Sequence, residues 1–293
     1  MIFGHVDNPS LISFELPPDH NDTARVLTHA EQKKQPEVYV GCAKWNRTEL
    51  KGFYPRGTKD ELLYYSSQFN SIELNASFYG TPSIPQVTAW RDKTPDDFKF
   101  FPKITRIISH FKRLKDVHYL LDEFCLNISH FESKLGMVFL QLNDNFAHKD
   151  FNRLKDFIHM FPTGIQLAVE LRHPAWFNDE AVAAELYALL EERKVANIIV
   201  DTAGRRDLLH MRLTSPTAFV RYVGANHPTD YTRLEDWIDR IENWVENGLE
   251  NLYFFVHQNT EEESPQLAAH FIQKLNEKLG LSVRGPHVNG TLF

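Results

Sequence analysis

The chain is poor in cysteine: only Cys42 and Cys125 occur in 293 residues. They fall in separate segments, which excludes a disulfide framework and leads to the expectation of a reducing, cytoplasmic setting. No apolar run approaches the roughly 18 residues that a membrane-spanning helix needs. The N-terminus has no basic start followed by an apolar stretch, so no secretory signal is expected. Positive charge is not in excess either. A formal net charge of −7 disfavours a broad non-specific nucleic-acid surface. There is no GxGxxG, no Walker loop, no HExxH and no Cys-x-x-Cys spacing, so neither a nucleotide nor a metal cofactor is expected from motifs. No internal repeat or low-complexity block stands out.

Apolar material, by contrast, is ample: 42% of residues are hydrophobic and 22 are Phe. Strand-length apolar runs occur at 38–43, 71–75, 98–105, 135–142, 165–172, 196–201, 218–224 and 251–257. Helix-like segments lie between most of them, at 59–69, 84–93, 116–132, 150–160, 179–194, 230–246 and 263–279. In 179–194, Ala181, Ala184, Leu186, Leu189 and Leu190 gather near one face, and Asp179 and Glu180 suit the positive end of the helix dipole. This alternation over about 240 residues predicts a TIM-type (β/α)8 barrel, a single α/β domain over 38–280. A doubly wound open sheet is the structural alternative. The weakest link is 202–217, where no helix pattern separates strands six and seven. Residues 1–37, polar and punctuated by Pro17-Pro18 and Pro36, read as an extended arm outside the core fold. Residues 281–293 form a C-terminal tail.

The stretch Phe69–Tyr79 draws attention to the strand ends. Ile72 and Leu74 share one face of a short strand, while Ser71, Glu73 and Asn75 share the other. An exposed edge would accommodate that polar face. In an interior strand an ionised carboxylate costs several kcal/mol unless partners compensate. Catalytic groups of parallel α/β folds sit at the carboxyl ends of strands. Those ends carry Lys44 and Trp45, Glu73 and Asn75, Lys103, Thr105 and His110, Gln141, Glu170 with Arg172 and His173, Asp201, Arg221, and His257. Glu170 and Arg172 could equally be a structural ion pair, and Lys103 could neutralise Glu73 on the neighbouring strand. Gln141 could satisfy backbone groups and Asp201 could cap a turn. His110 and His173 could be loop histidines. Trp45, Tyr79 and Trp176 are either rim packing or stacking walls for a flat ligand.

In an eight-strand ring, strands two and five are three apart, so Glu73 and Glu170 would face each other obliquely across the mouth. That arrangement suits an acid and a base on opposite sides of a substrate. Lys103, Arg172 and Arg221 would lower the carboxylate pKa values or hold an anionic group. Glu73, Glu170, Asp201, His110 and His257 are the alternative ligands for a divalent metal, which three nearby cations disfavour.

The same strand ends carry a resemblance. Gly41–Trp45, Phe53-Tyr-Pro55, Phe69–Asn75, Phe78-Tyr79, Pro82, Phe98–Lys103 and Ile108-Ser-His110 resemble the YecE-like family, domain of unknown function 72. Gly136, Gln141-Leu142, Val169–Pro174, Asp201, Arg221 and Gly224 continue the match in order, so that it spans about 38–280. The resemblance implies a TIM-type barrel and carries no catalytic assignment. Two departures stand out: Val223 precedes Gly224 where many members have His, and Asn143-Asp144 follow Gln141-Leu142 where many have two prolines. Separately, Asn289–Phe293 is similar to the short peptide by which bacterial proteins dock on the DNA sliding clamp, with Asn in place of the usual Gln. A tail folded on an apolar groove is the plainer reading. Three functional expectations follow: an acid/base enzyme (hydrolase, lyase or isomerase) on a small anionic or polar ligand, a DNA-processing accessory protein docked on the clamp, or a non-catalytic binder.

Overall fold

The structure is a computed structural model, described over residues 3–28 and 35–286. A helix from the N-terminal segment, α1 (Asn21–Thr28), precedes β1 (Glu37–Cys42). The chain then runs α2 (Glu61–Gln68), β2 (Ser71–Leu74), α3 (Ala76–Tyr79), α4 (Ile84–Lys93), β3 (Lys99–Pro102), α5 (His118–Ser129) and β4 (Val138–Gln141). It continues through α6 (Phe151–Met160), β5 (Leu167–Glu170), α7 (Glu180–Glu192), β6 (Ala196–Asn197), β7 (Ile199–Thr202), β8 (Thr217–Gly224), α8 (Thr229–Glu246), β9 (Asn251–Gln258) and α9 (Ser264–Leu279). The helices start where the sequence offers acceptors for their unpaired N–H groups. The Asp179 carboxylate accepts from Ala181 and Val182 N–H, and Asp60 accepts from Leu63 N–H.

All strand pairs are parallel and fall into three groups: β1-β9-β8-β7, β2-β3 and β4-β5-β6. The groups are joined by further contacts. The Asn70 side chain accepts from Val40 N–H at 3.0 Å and donates to Val38 C=O at 2.8 Å, tying the entry to β2 onto β1. There the backbones lie so close that a Cβ on Gly41 would fall 2.2 Å from the Ser71 carbonyl oxygen. Single parallel bridges, Phe100 to Leu135 and Lys103 to Phe139, join β3 to the β4 segment. The run expected as one strand at 196–201 divides at Ile198. Its N–H turns back to Val169 C=O, so β6 serves β5 and β7 serves β8.

The larger apolar cluster lies between strands and helices. A second cluster collects Phe101, Phe139, Ala168, Ala196, Ile198, Val200, Phe219 and Phe255, with Tyr39 packed against it. These side chains come from β3 to β9 and include the pivot residue Ile198, on the strand face opposite the helices. Residues 203–216 hold only a 3-10 turn, Arg206–Leu208, where the sequence shows no helix pattern. The N-terminal segment occupies that place, which corrects its reading as an extended arm outside the core. Thr23 accepts from Leu213 N–H and donates to Met211 C=O, Arg25 pairs with Glu191 of α7, and Asp19 accepts from Arg240 and Trp244 of α8. Thr23 and Leu27 are buried. A connection that forms no α-helix of its own leaves a groove between α7 and α8, and α1 fills it. No helix among the described residues is long and apolar enough to cross a membrane.

Candidate functional site at the carboxyl ends of the strands

Alternation along β2 and β8 turns Glu73 and Arg221 away from the helices and toward each other. Arg221 is the hub. Its Nε and Nη2 donate to the two Glu73 oxygens at 2.9 Å each, and its Nη1 donates to Glu170 at 2.5 Å. Glu170 also accepts from Arg172 Nε at 2.5 Å. His257 Nε2 donates to Glu73 at 2.9 Å, and Asn75 donates to the same carboxylate at 2.8 Å. Glu73, Glu170 and His257 are completely buried and Arg221 nearly so. Burial alone would raise the carboxylate pKa values. The positive charges outweigh it: Arg221 and His257 hold Glu73 well below the usual range, and Arg172, Arg221 and Lys103 bring Glu170 down to about 2. For His257, burial pulls downward, but Glu73, with Glu261 assisting, raises the imidazole pKa.

Above this buried layer lies a cavity of about 620 Å³, lined by Lys103, His110, Gln141, Arg172 and Arg221 with Phe78, Phe3 and the loop Asn143–Asn145. Lys103 does not pair with Glu73, as its place on the neighbouring strand suggests. Its ammonium donates to the neutral Gln141 Oε1 at 2.8 Å and lies over the Phe78 ring at 4.3 Å. Burial first, then the charge of Arg221, lowers its pKa from 10.5 to about 7, against the pull of Glu170 and Glu73. His110 sits in a π-helical turn, Ile107–Phe111, and packs edge-on against Phe78. Burial, Lys103 and Arg172 lower its pKa to about 4, so it is neutral at pH 7.

The remaining candidates lie elsewhere. Asp201 faces outward, accepting from Arg206, from Arg233 at 2.8 Å and from Trp237 at 2.8 Å; it anchors α8. Trp45 packs on Trp90, Tyr79 is largely exposed beside Arg106, and His173 accepts from Ala175 N–H in its own loop. The five residues grouped as alternative metal ligands therefore do not converge. Asp201 is turned away, His110 is above Phe78, and the other three surround the Arg221 guanidinium. No group of His, Cys, Asp and Glu among the described residues is arranged to hold a metal.

Two cavity residues escape a reading of strand ends. Phe78 belongs to α3, and Phe3 stacks on the Arg172 guanidinium at 3.5 Å from far along the chain. Gly4 makes that reach possible: its φ is +73°, and a Cβ there would lie 1.8 Å from Thr202 Oγ1. A larger cavity, about 980 Å³, lies at the opposite, amino-terminal ends of the strands and touches none of these groups.

Residues 39–288 match the model of the family described as protein of unknown function DUF72. The chain belongs to the DUF72 family. It is 26% identical over 261 residues to the UPF0759 protein YecE of Escherichia coli K12, covering 83% of this chain and 94% of that one. It is 28% identical over 151 residues to the UPF0759 protein YunF of Bacillus subtilis 168, covering 48% and 52% respectively, so it spans about half of that relative. Crystal structures of DUF72 family proteins share the fold. The one from Enterococcus faecalis V583 gives a TM-score of 0.67 at 17% identity, over 85% of this chain and all of that one. The one from Thermotoga maritima MSB8 gives 0.65 at 23% identity, over 82% and 99%. Of the two departures noted above, Asn143-Asp144 falls on the cavity wall, and Val223 shares the strand face of Arg221. The clamp-like peptide, Asn289–Phe293, lies outside the described residues.

Proposed function

We propose that this DUF72 protein is an enzyme acting on a small anionic ligand at the carboxyl-end mouth of a closed (β/α)8 barrel. Closure is supported by the Asn70 ties between β1 and β2, the bridges from β3 to β4, and the second apolar cluster drawn from strands of all three groups. One observation carries the functional reading: Lys103, Arg172 and Arg221 converge on one cavity with Gln141 and His110. Their charges are not equivalent. Arg221 is neutralised by two carboxylates and Arg172 is held by one of them, whereas Lys103 faces a neutral amide. In its protonated form Lys103 therefore carries the positive charge that a bound anion would feel most.

This assigns the two carboxylates a different task from the proton transfer expected of them. Both are ionised and fully hydrogen-bonded, so neither donates a proton near pH 7. They hold Arg221 and Arg172 in position, and proton transfer falls to Lys103, whose pKa matches neutral conditions. Calorimetric titration of inorganic phosphate and of acetate tests the site. Expected is binding of at least one of them, weakened at least tenfold in Lys103→Met and in Arg172→Leu. Absence of binding by the intact protein, or binding indifferent to both substitutions, refutes it.

A further inference from the structure

Two lysines are buried among the described residues, Lys103 and Lys134. Lys134 is caged: its ammonium donates to the Arg91 and Thr94 carbonyls and lies 3.7 Å from Asp96. Lys103 is held by one neutral hydrogen bond and an aromatic face, and it lines the cavity together with both of these partners. An amine in that setting has lost solvation and gained little in return, which favours the uncharged, nucleophilic form. Arg172 lines the same cavity as Phe78 and Gln141 and can hold a ligand anion while the amine meets the rest of the molecule.

We propose that Lys103 forms an imine with a small carbonyl compound bearing an anionic group, an aldehyde or 2-oxo acid, held by Arg172. The inference rests on the anion-binding reading of the cavity. The Nζ lone pair attacks the carbonyl carbon, forming the C–N bond, while the carbonyl π electrons move to oxygen, which takes up a proton. The nitrogen loses its extra proton. The hydroxyl then takes up a second proton, and the nitrogen lone pair forms the C=N bond as the C–O bond breaks and water leaves. The iminium gives up its remaining N–H proton to become the imine. Amine and carbonyl thus become imine and water, with no oxidant, reductant or co-reactant. His110 lines the same cavity with a neutral ring and offers an acceptor for the proton that leaves nitrogen. The flat Phe78 ring beneath the amine keeps water from its other side. Glu170 and Glu73 offset part of the repulsion that Arg221 exerts at Lys103, which assists the protonated imine as it forms.

The test uses the intact protein at pH 7.5 with limiting probe and sodium cyanoborohydride, and adducts mapped by mass spectrometry. Glyoxylate supplies the carboxylate-bearing probe and pyridoxal 5′-phosphate the phosphate-bearing one. Expected is one adduct per chain on Lys103, formed at least tenfold faster than on any other lysine, and suppressed by whichever of acetate or phosphate binds the cavity. Labelling by glyoxylate alone assigns a carboxylate substrate, and by the phosphate probe alone a phosphorylated one. Lys103→Arg should lose the adduct while keeping its circular dichroism spectrum. Adducts confined to other lysines overturn the proposal. If anions still bind in that case, the imine fails and the anion site stands. A Lys103 adduct that no anion suppresses keeps the nucleophile and removes the anion site.

Discussion

Replacing Lys103 by Met should stabilise the protein in acid and lose that advantage in base. The amine titrates near 10.5 when free and at about 7 in its buried site. A base whose folded pKa is depressed leaves the unfolded chain binding more protons between those values, so stability rises with pH across that window. The linked cost of burying the lysine approaches about 5 kcal/mol near pH 6 and falls to about 2 kcal/mol at pH 9. Methionine removes that cost but also the bond to Gln141, leaving a buried amide oxygen unpaired at a penalty of about 1–3 kcal/mol. The variant should therefore be more stable than the parent by about 2–4 kcal/mol at pH 6 and nearly equal to it at pH 9. Urea denaturation at the two pH values measures the difference, expected to change by about 3 kcal/mol between them. A difference independent of pH, or a variant that loses most at pH 6, would refute the depressed titration of Lys103 and with it the argument for a neutral amine.

Arg221→Met strands Glu73 and Glu170 in a buried site; the expected loss is about 3–5 kcal/mol by urea midpoint, and a neutral effect would mean that the carboxylates find other partners. Asp201→Asn weakens the anchor to Arg206, Arg233 and Trp237 and should lower Tm while leaving anion affinity within twofold, since this cluster faces away from the cavity. A larger change in affinity would contradict that separation. Gly41→Ala forces β1 and β2 apart at the Ser71 carbonyl and should destabilise by about 1–3 kcal/mol in the same assay, with an unchanged midpoint as the contrary result. Anion affinity should weaken as pH rises through about 7, because the protonated Lys103 is the form that attracts the ligand. A flat calorimetric profile from pH 6 to 9 would assign the attraction to the arginines alone.

Much of this architecture is written locally. Period-two and period-3.6 patterns place the strands and helices near their observed positions, because burying an apolar stripe is a short-range property of chain geometry. The same alternation puts Glu73, Glu170 and Arg221 on strand faces turned from the helices, and directs attention to the carboxyl ends where Lys103, Gln141 and Arg172 are found. Which of these groups meet is a different matter. Neighbouring strands suggest a Lys103–Glu73 pair, yet Glu73 binds Arg221, 148 positions away, and Lys103 turns to Gln141. Partner choice follows from how strands distant in sequence face one another, and from a competition in which the bidentate guanidinium outweighs the single ammonium. Asp201 illustrates the same limit: one strand position decides whether a carboxylate faces the cavity or anchors α8. The roles of α1 and Phe3 are also nonlocal. A polar N-terminal segment carries no sign that a groove between α7 and α8 awaits it, since the groove exists only once the helix-free 203–216 connection has closed.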